Sequence, residues 1–110
     1  MSRGLLWKTM LPLEHLQRSN TKENLWIHIL SLLKDRELYG WEIPSLIEKK
    51  FNFRPGRITP YRVLYRLEGD GFVKSKMEER KRIYQITKKG ETELNKAKNF
   101  YRQILKEISR

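Results

Sequence analysis

The stretch TPYRVLYRLEGDGFVKSKMEERKRIYQIT, residues Thr59 to Thr87, changes its hydrophobic period once and sharply. Over its first part Pro60, Val63, Leu64 and Leu67 recur at helical spacing. On a wheel of about 100° per residue they gather on one arc, and Thr59, Tyr61, Arg62, Tyr65 and Arg66 fall on the other. Thr59 reads as an N-cap with Pro60 at the first helical position, so the spacing predicts a helix over about Pro60 to Glu68. Gly69-Asp70-Gly71 ends it. Phe72 to Glu78 and Arg82 to Thr87 then read as two strands around the polar turn Glu79-Arg80-Lys81, with Tyr84 and Ile86 alternating with Gln85 and Thr87.

The charge of this segment sets its partner. From Arg54 through Lys89 eleven basic residues face four acidic ones (Glu68, Asp70, Glu78, Glu79), so a third of the chain holds most of the net charge of +11. Arginine can fork onto guanine O6 and N7 in the major groove or onto phosphate, and tyrosine and threonine hydroxyls suit phosphates. Thr59, Tyr61, Arg62, Tyr65 and Arg66 are therefore the candidate groove contacts. Lys74, Lys76, Arg80, Lys81 and Arg82 of the hairpin are the candidate backbone contacts, each neutralised phosphate contributing about 0.9 to the salt slope of affinity. A helix with arginines on its free face followed at once by a basic hairpin is the arrangement of a winged helix-turn-helix on double-stranded DNA. The alternative is a winged-helix adaptor that meets an acidic protein or RNA with the same basic face.

Working outward, Leu25, Trp26, Ile29, Leu30 and Leu33 repeat along one helical face, and Asn20 with Glu23 fits a capping box, predicting a helix from about Thr21 to Lys34. Ile43, Leu46 and Ile47, with Trp41 before them, form a second stripe on a helix starting around Gly40 to Ile43, where Pro44 falls in the first turn. Asn52, Pro55 and Gly56 mark the loop to the basic helix. Residues 1–20 form an N-terminal arm, partly helical, broken or kinked at Pro12. Residues 21–87 make the DNA-binding unit and residues 88–110 a terminal helix. On that helix Leu94, Ala97, Tyr101, Ile104 and Ile108 recur at steps of three and four, a heptad seam flanked by Leu105 that predicts a homodimer. The fold class is mainly α with a small β-hairpin.

At 110 residues one domain with a thin core is expected, and burial at a dimer interface would add to it. The composition, 38% hydrophobic and 34% charged, belongs to a globular chain. The pI near 10.1 favours nucleic acid first and an anionic membrane surface second. Cysteine is absent, which excludes disulfides, thiolate metal sites and thiol nucleophiles and agrees with a cytoplasmic location. Gly4 to Leu16 is interrupted by Lys8, Pro12 and Glu14, and no run reaches the roughly 20 apolar residues of a spanning helix. Asp35 and Asp70 are the only aspartates amid abundant Lys and Glu, a weak sign of a hot habitat. His15 and His28 stand in unlike settings without metal-ligand spacing, and no Gly-rich phosphate loop is present, so no catalytic residue, metal or cofactor is assigned. His28 reads as a hydrogen-bonded boundary histidine. Trp7, Trp26 and Trp41 read mostly as core, although one could line a pocket for a small aromatic effector at a dimer interface between the arm, the first helix and the terminal helix.

Three blocks resemble the PadR-like family of winged-helix transcription regulators. Tyr39-Gly40-Trp41-Glu42-Ile43 is similar to that family's Y-G-Y-E-L segment. Tyr61 to Val73 is similar to its Y-x-x-L-x-R-L-E-x-x-G-L-V block, and Arg82 to Gly90 to its R-x-Y-x-L-T-x-x-G block. Together the blocks span about residues 23–94. The resemblance implies a homodimer joined through the terminal helix, a recognition helix in each major groove, wings on flanking backbone or minor groove, and repression of a promoter, relieved in some relatives by an aromatic effector. Pro44 and Ile58 depart from the family pattern, and the terminal region is one short helix.

Overall fold

The computed structural model describes residues 11–110. Helix α1, Pro12–Ser19, begins at the proline that the sequence marks as a break, because the first turn has no need of the missing N–H. Trp7, read mostly as core, lies outside the described residues. Asn20 is not the cap of the next helix: its side chain donates back to the Leu16 carbonyl at 2.8 Å, ending α1, and a 3-10 turn at Lys22–Asn24 intervenes. Helix α2 is accordingly Leu25–Asp35, shorter at its start than the capping box implies. Its stripe is buried as expected, with Leu25, Ile29, Leu30 and Leu33 in the core and Leu32 beside them.

A short strand that the sequence reading omits follows. Strand β1, Leu38–Tyr39, pairs antiparallel with the hairpin and makes it a three-stranded sheet. Helix α3, Ile43–Phe51, carries Pro44 in its first turn and ends on Asn52 in the left-handed conformation (φ 60°), which asparagine tolerates. Helix α4, Thr59–Gly69, starts one residue early: Ile58 already has helical dihedrals, so Thr59 is the first helical residue and makes no capping bond. Its apolar arc is buried through Pro60, Leu64 and Leu67, with Val63 half-buried. The turn after it is a Schellman closure. Gly71 N–H donates to Glu68 O at 3.1 Å and Phe72 N–H to Leu67 O at 2.9 Å, with Gly71 at φ 83°.

Strands β2, Val73–Glu78, and β3, Lys81–Ile86, pair from Val73↔Ile86 to Glu78↔Lys81, and β1 lies on the other side of β3 in the order β1-β3-β2. The hairpin tip is therefore two residues, Glu79 and Arg80, and Lys81 belongs to the strand rather than to the turn. Both tip residues have positive φ, 51° and 66°, the geometry that matches the twist of the flanking strands. Helix α5, Lys88–Ile108, is capped by Thr87, whose hydroxyl accepts the Gly90 N–H at 3.0 Å. Thr87 thus leaves the strand to serve the helix. Leu94 of α5 is 2% exposed and joins the core against α2, so it is not surface on offer to a partner as the heptad reading had it. Beyond it Phe100, Tyr101, Ile104, Leu105 and Ile108 are exposed. No helix among the described residues is long and apolar enough to cross a membrane.

Candidate nucleic-acid interface

The amphipathic split of α4 is what exposes its polar arc. Leu64, fully buried, and Leu67 fix the helix against α2, which leaves Thr59, Tyr61, Arg62, Tyr65 and Arg66 facing outward. Tyr65 is 82% exposed, an unusual position for a large ring unless something covers it. Tyr61 is set by close packing: a Cβ placed on Gly40 would lie 3.1 Å from its ring and 3.4 Å from that of Tyr84. The glycine of the Tyr-Gly-Trp segment thus lets the chain entering α3 pass directly beneath the first turn of α4.

Lys74, Lys76, Arg80, Lys81 and Arg82 are all exposed on the hairpin, but the register divides them. Lys74, Lys76 and Lys81 share one face with Ile83 and Gln85, whereas Arg82 shares the other with Met77, Ser75 and Tyr84. Arg82 donates to the Ser75 hydroxyl at 2.9 Å, which in turn donates to the Glu68 carboxylate at 2.6 Å, tying the hairpin to the end of α4. Glu68 also acts at a distance: burial first, and this carboxylate second, hold the Tyr84 hydroxyl above its ordinary pKa. Tyr39 is raised likewise, by desolvation and then by Glu78 and Glu79.

The cations of this face, Arg82 on Ser75 and Lys81 over Trp41 aside, have no internal partners. Ion pairs occur at Arg18–Glu23, Arg36–Glu42, Lys50–Asp35, Arg54–Glu48 and Lys96–Glu93, none of which includes a candidate contact residue. Among the described residues, Arg62, Arg66, Lys74, Lys76 and Arg80 form neither ion pair nor side-chain hydrogen bond. A row of uncommitted cations beside an exposed helix is suited to binding an external polyanion.

Trp41, which hydrophobicity assigns to the core, is instead 58% exposed, stacked on Tyr39 at 6.3 Å with the Lys81 ammonium 5.5 Å from its ring. Its position follows from strand β1, whose register carries residue 41 toward Lys81, and no sequence period announces that strand. Trp26 is half-buried against the core, its indole N–H on Asn24 at 3.3 Å. His28 is a boundary histidine, its Nε2 2.9 Å from the Asn20 carbonyl and its ring edge-on to Phe51 and Phe53. Leu16, Ile27, His28, Tyr101 and Ile104 border an open cavity of about 660 Å³ between α1, α2 and α5.

Residues 29–96 match the model of the transcriptional regulator PadR-like family. A transcriptional regulator from Clostridium thermocellum is 31% identical with a TM-score of 0.70, over 77% of this chain and 89% of that one. A PadR family transcription regulator from Clostridium difficile is 28% identical with a TM-score of 0.68, over 76% and 93%. Bacillus subtilis PadR, solved in complex with operator DNA, is 26% identical with a TM-score of 0.58, over 66% of this chain and 45% of that one. No curated protein sequence matches at a significant level. With the match covering most of the chain, from the core of α2 into α5, the chain belongs to the PadR-like family of transcriptional regulators.

Proposed function

We propose that this regulator is a homodimer that binds double-stranded DNA sequence-specifically and represses transcription by occupying its site. Residues 21–87 form the DNA-binding unit, residues 88–110 the dimerisation helix and residues 1–20 an accessory arm. The observation that carries the reading is the exposed surface of α4 and the hairpin, on which Arg62, Arg66, Lys74, Lys76 and Arg80 are left without internal partners. Arg62 and Arg66 read bases or phosphates from the groove, Thr59, Tyr61 and Tyr65 contact the backbone through their hydroxyls, and Lys74, Lys76, Arg80, Lys81 and Arg82 neutralise flanking phosphates. The complex of Bacillus subtilis PadR with operator DNA supports the choice of duplex DNA over RNA or an acidic protein.

Dimerisation is supported by the exposed apolar end of α5, where Ala97, Tyr101, Ile104, Leu105 and Ile108 line a seam that a second copy would cover. Two-fold symmetry then sets half-sites about 10 base pairs apart, or a multiple of that. The cavity beside this seam is the proposed place for a small aromatic effector, and planar aromatic compounds should raise the melting temperature if they bind there. The test of the main reading is selection of a site from random duplex, followed by gel shifts over a range of salt. Arg62→Ala should flatten the sequence preference and Lys74→Ala should weaken all sequences alike. Duplex that is never retarded at low salt would overturn the reading in favour of an adaptor.

A further inference from the structure

Trp41 occupies a place in the fold that packing does not explain. Its ring is more exposed than buried, and its indole N–H has no hydrogen-bond partner among the described residues. Tryptophan N–H is a donor only, and this exposed one is free to meet an acceptor from outside the chain. The antiparallel register Leu38↔Tyr84 and Tyr39↔Ile83 carries the chain leaving β1 toward the hairpin tip, which brings Trp41 beside Lys81, the residue after Arg80. On its other side Gly40 abuts Tyr61 in the first turn of α4. Trp41 therefore neighbours the start of β3 through Lys81 and, through the adjacent Gly40, the first turn of α4.

We propose that Trp41 and Lys81 form a phosphate clamp on the DNA strand between the major-groove helix and the wing, the indole N–H donating to a phosphate oxygen and the ammonium supplying the charge. The stack on Tyr39, nearly parallel at 17° between ring planes, holds the indole in place before DNA arrives. Of the neighbouring carboxylates, Glu42 accepts from the Tyr39 N–H at 2.8 Å and pairs with Arg36, and Glu37 accepts from Gln85, whereas Glu78, cross-strand from Lys81, and Glu79 at the tip form no ion pair among the described residues, so Lys81 also offsets their charge at the clamp. Lys81 has no ion pair among the described residues. This inference rests on the DNA-binding reading above and adds to it a contact outside helix α4.

The two members of the clamp leave different signatures. Trp41→Phe keeps the ring and its stack but removes the N–H, so affinity for the selected site should fall about tenfold, as for a lost hydrogen bond to a charged group, with the salt slope unchanged. Lys81→Gln should lower the slope by about 0.9. In an ethylation-interference footprint, one phosphate between the helix contacts and the wing contacts should block wild-type binding when ethylated, impair Trp41→Phe less, and have no effect on the double variant Trp41→Phe, Lys81→Gln. Circular dichroism of both variants confirms that they fold. If Trp41→Phe binds and footprints as wild type while Arg62→Ala is impaired, the clamp is refuted and the DNA-binding reading stands. If Arg62→Ala, Arg66→Ala and Trp41→Phe all bind as wild type, the interface itself is misplaced and the clamp falls with it.

Discussion

Replacing Gly90 by alanine sets two physical effects of opposite sign against each other. Gly90 lies in the first turn of α5, and by helix propensity alone alanine there should stabilise the fold by about 1 kcal/mol. The packing says otherwise. A Cβ at this position would clash with the Phe72 carbonyl oxygen and approach Ile86 Cγ1 to 2.8 Å and the Phe72 carbonyl carbon to 3.1 Å. The obstruction is backbone, which cannot swing away as a side-chain tip does. Relief requires the start of α5 to move off β2, at an overpacking cost of about 3 kcal/mol, and it strains the bond from Thr87 N–H to Phe72 O at 3.1 Å, worth about 1 kcal/mol. The net expectation is destabilisation by about 3 kcal/mol, equivalent to a fall in Tm of more than about 10 °C for a domain of this size. Urea and thermal melts by circular dichroism, run at one protein concentration because a dimer's Tm depends on it, measure this directly. A Gly90→Ala protein as stable as wild type, or more so, would show that propensity outweighs the contact and that the joint between α5 and the wing is not close-packed.

Three further outcomes are expected. Glu79→Asn combined with Arg80→Gly places at the wing tip the residues that accept positive φ, so the melting temperature should rise, by about 1–2 kcal/mol of stability, while the loss of Arg80 should lower the salt slope of DNA affinity by about 0.9. Ile104→Glu puts a charge into the proposed seam of α5, and light scattering at tens of micromolar should then report a monomer where wild type is a dimer. The Lys34 ammonium, together with Arg102, holds Lys98 below its ordinary value of 10.5. The unfolded chain therefore binds this proton more readily than the folded one, and stability gains as pH rises through the window from the depressed value up to 10.5; parallel melts of Lys98→Gln, which lacks the group, should show a smaller gain.

The recognition helix was legible because one side of it must be buried. Pro60, Val63, Leu64 and Leu67 can gather on an arc only if the chain is helical, and the arginines then have no choice of side. The heptad on α5 was legible for the same reason, but periodicity does not say which partner covers each position. Leu94 is covered by α2 of its own chain. Local capping signals misled at Asn20 and Thr59, since either residue can serve a helix end or a turn, and the neighbouring backbone decides. Asn20 closes α1 instead of opening α2, and Ile58 turns helical before Thr59 can cap. The two-residue β1 carries no period at all, and with it went the position of Trp41, which hydrophobicity alone assigns to the core. The Thr-x-x-Gly ending of the third block gains a mechanical sense from the structure, since Thr87 caps α5 and Gly90 admits the Phe72 backbone.

These same contacts make one rigid joint of three functional parts. The Thr87 hydroxyl donates to Gly71 O at 2.7 Å, Lys89 Nζ to Asp70 O at 2.7 Å and Thr87 N–H to Phe72 O, so the closing turn of α4, the base of β2 and the first turn of α5 share their hydrogen bonds. Arg82, through Ser75 and Glu68, ties the wing to α4 a second time. In the proposed dimer, these hydrogen bonds would couple the angle at which two copies of α5 meet to the spacing of the two α4 helices. A small molecule lodged in the cavity beside the proposed seam would need no path through the core to alter DNA affinity. Changing the crossing of the two terminal helices would be sufficient if each carries its wing and α4 with it.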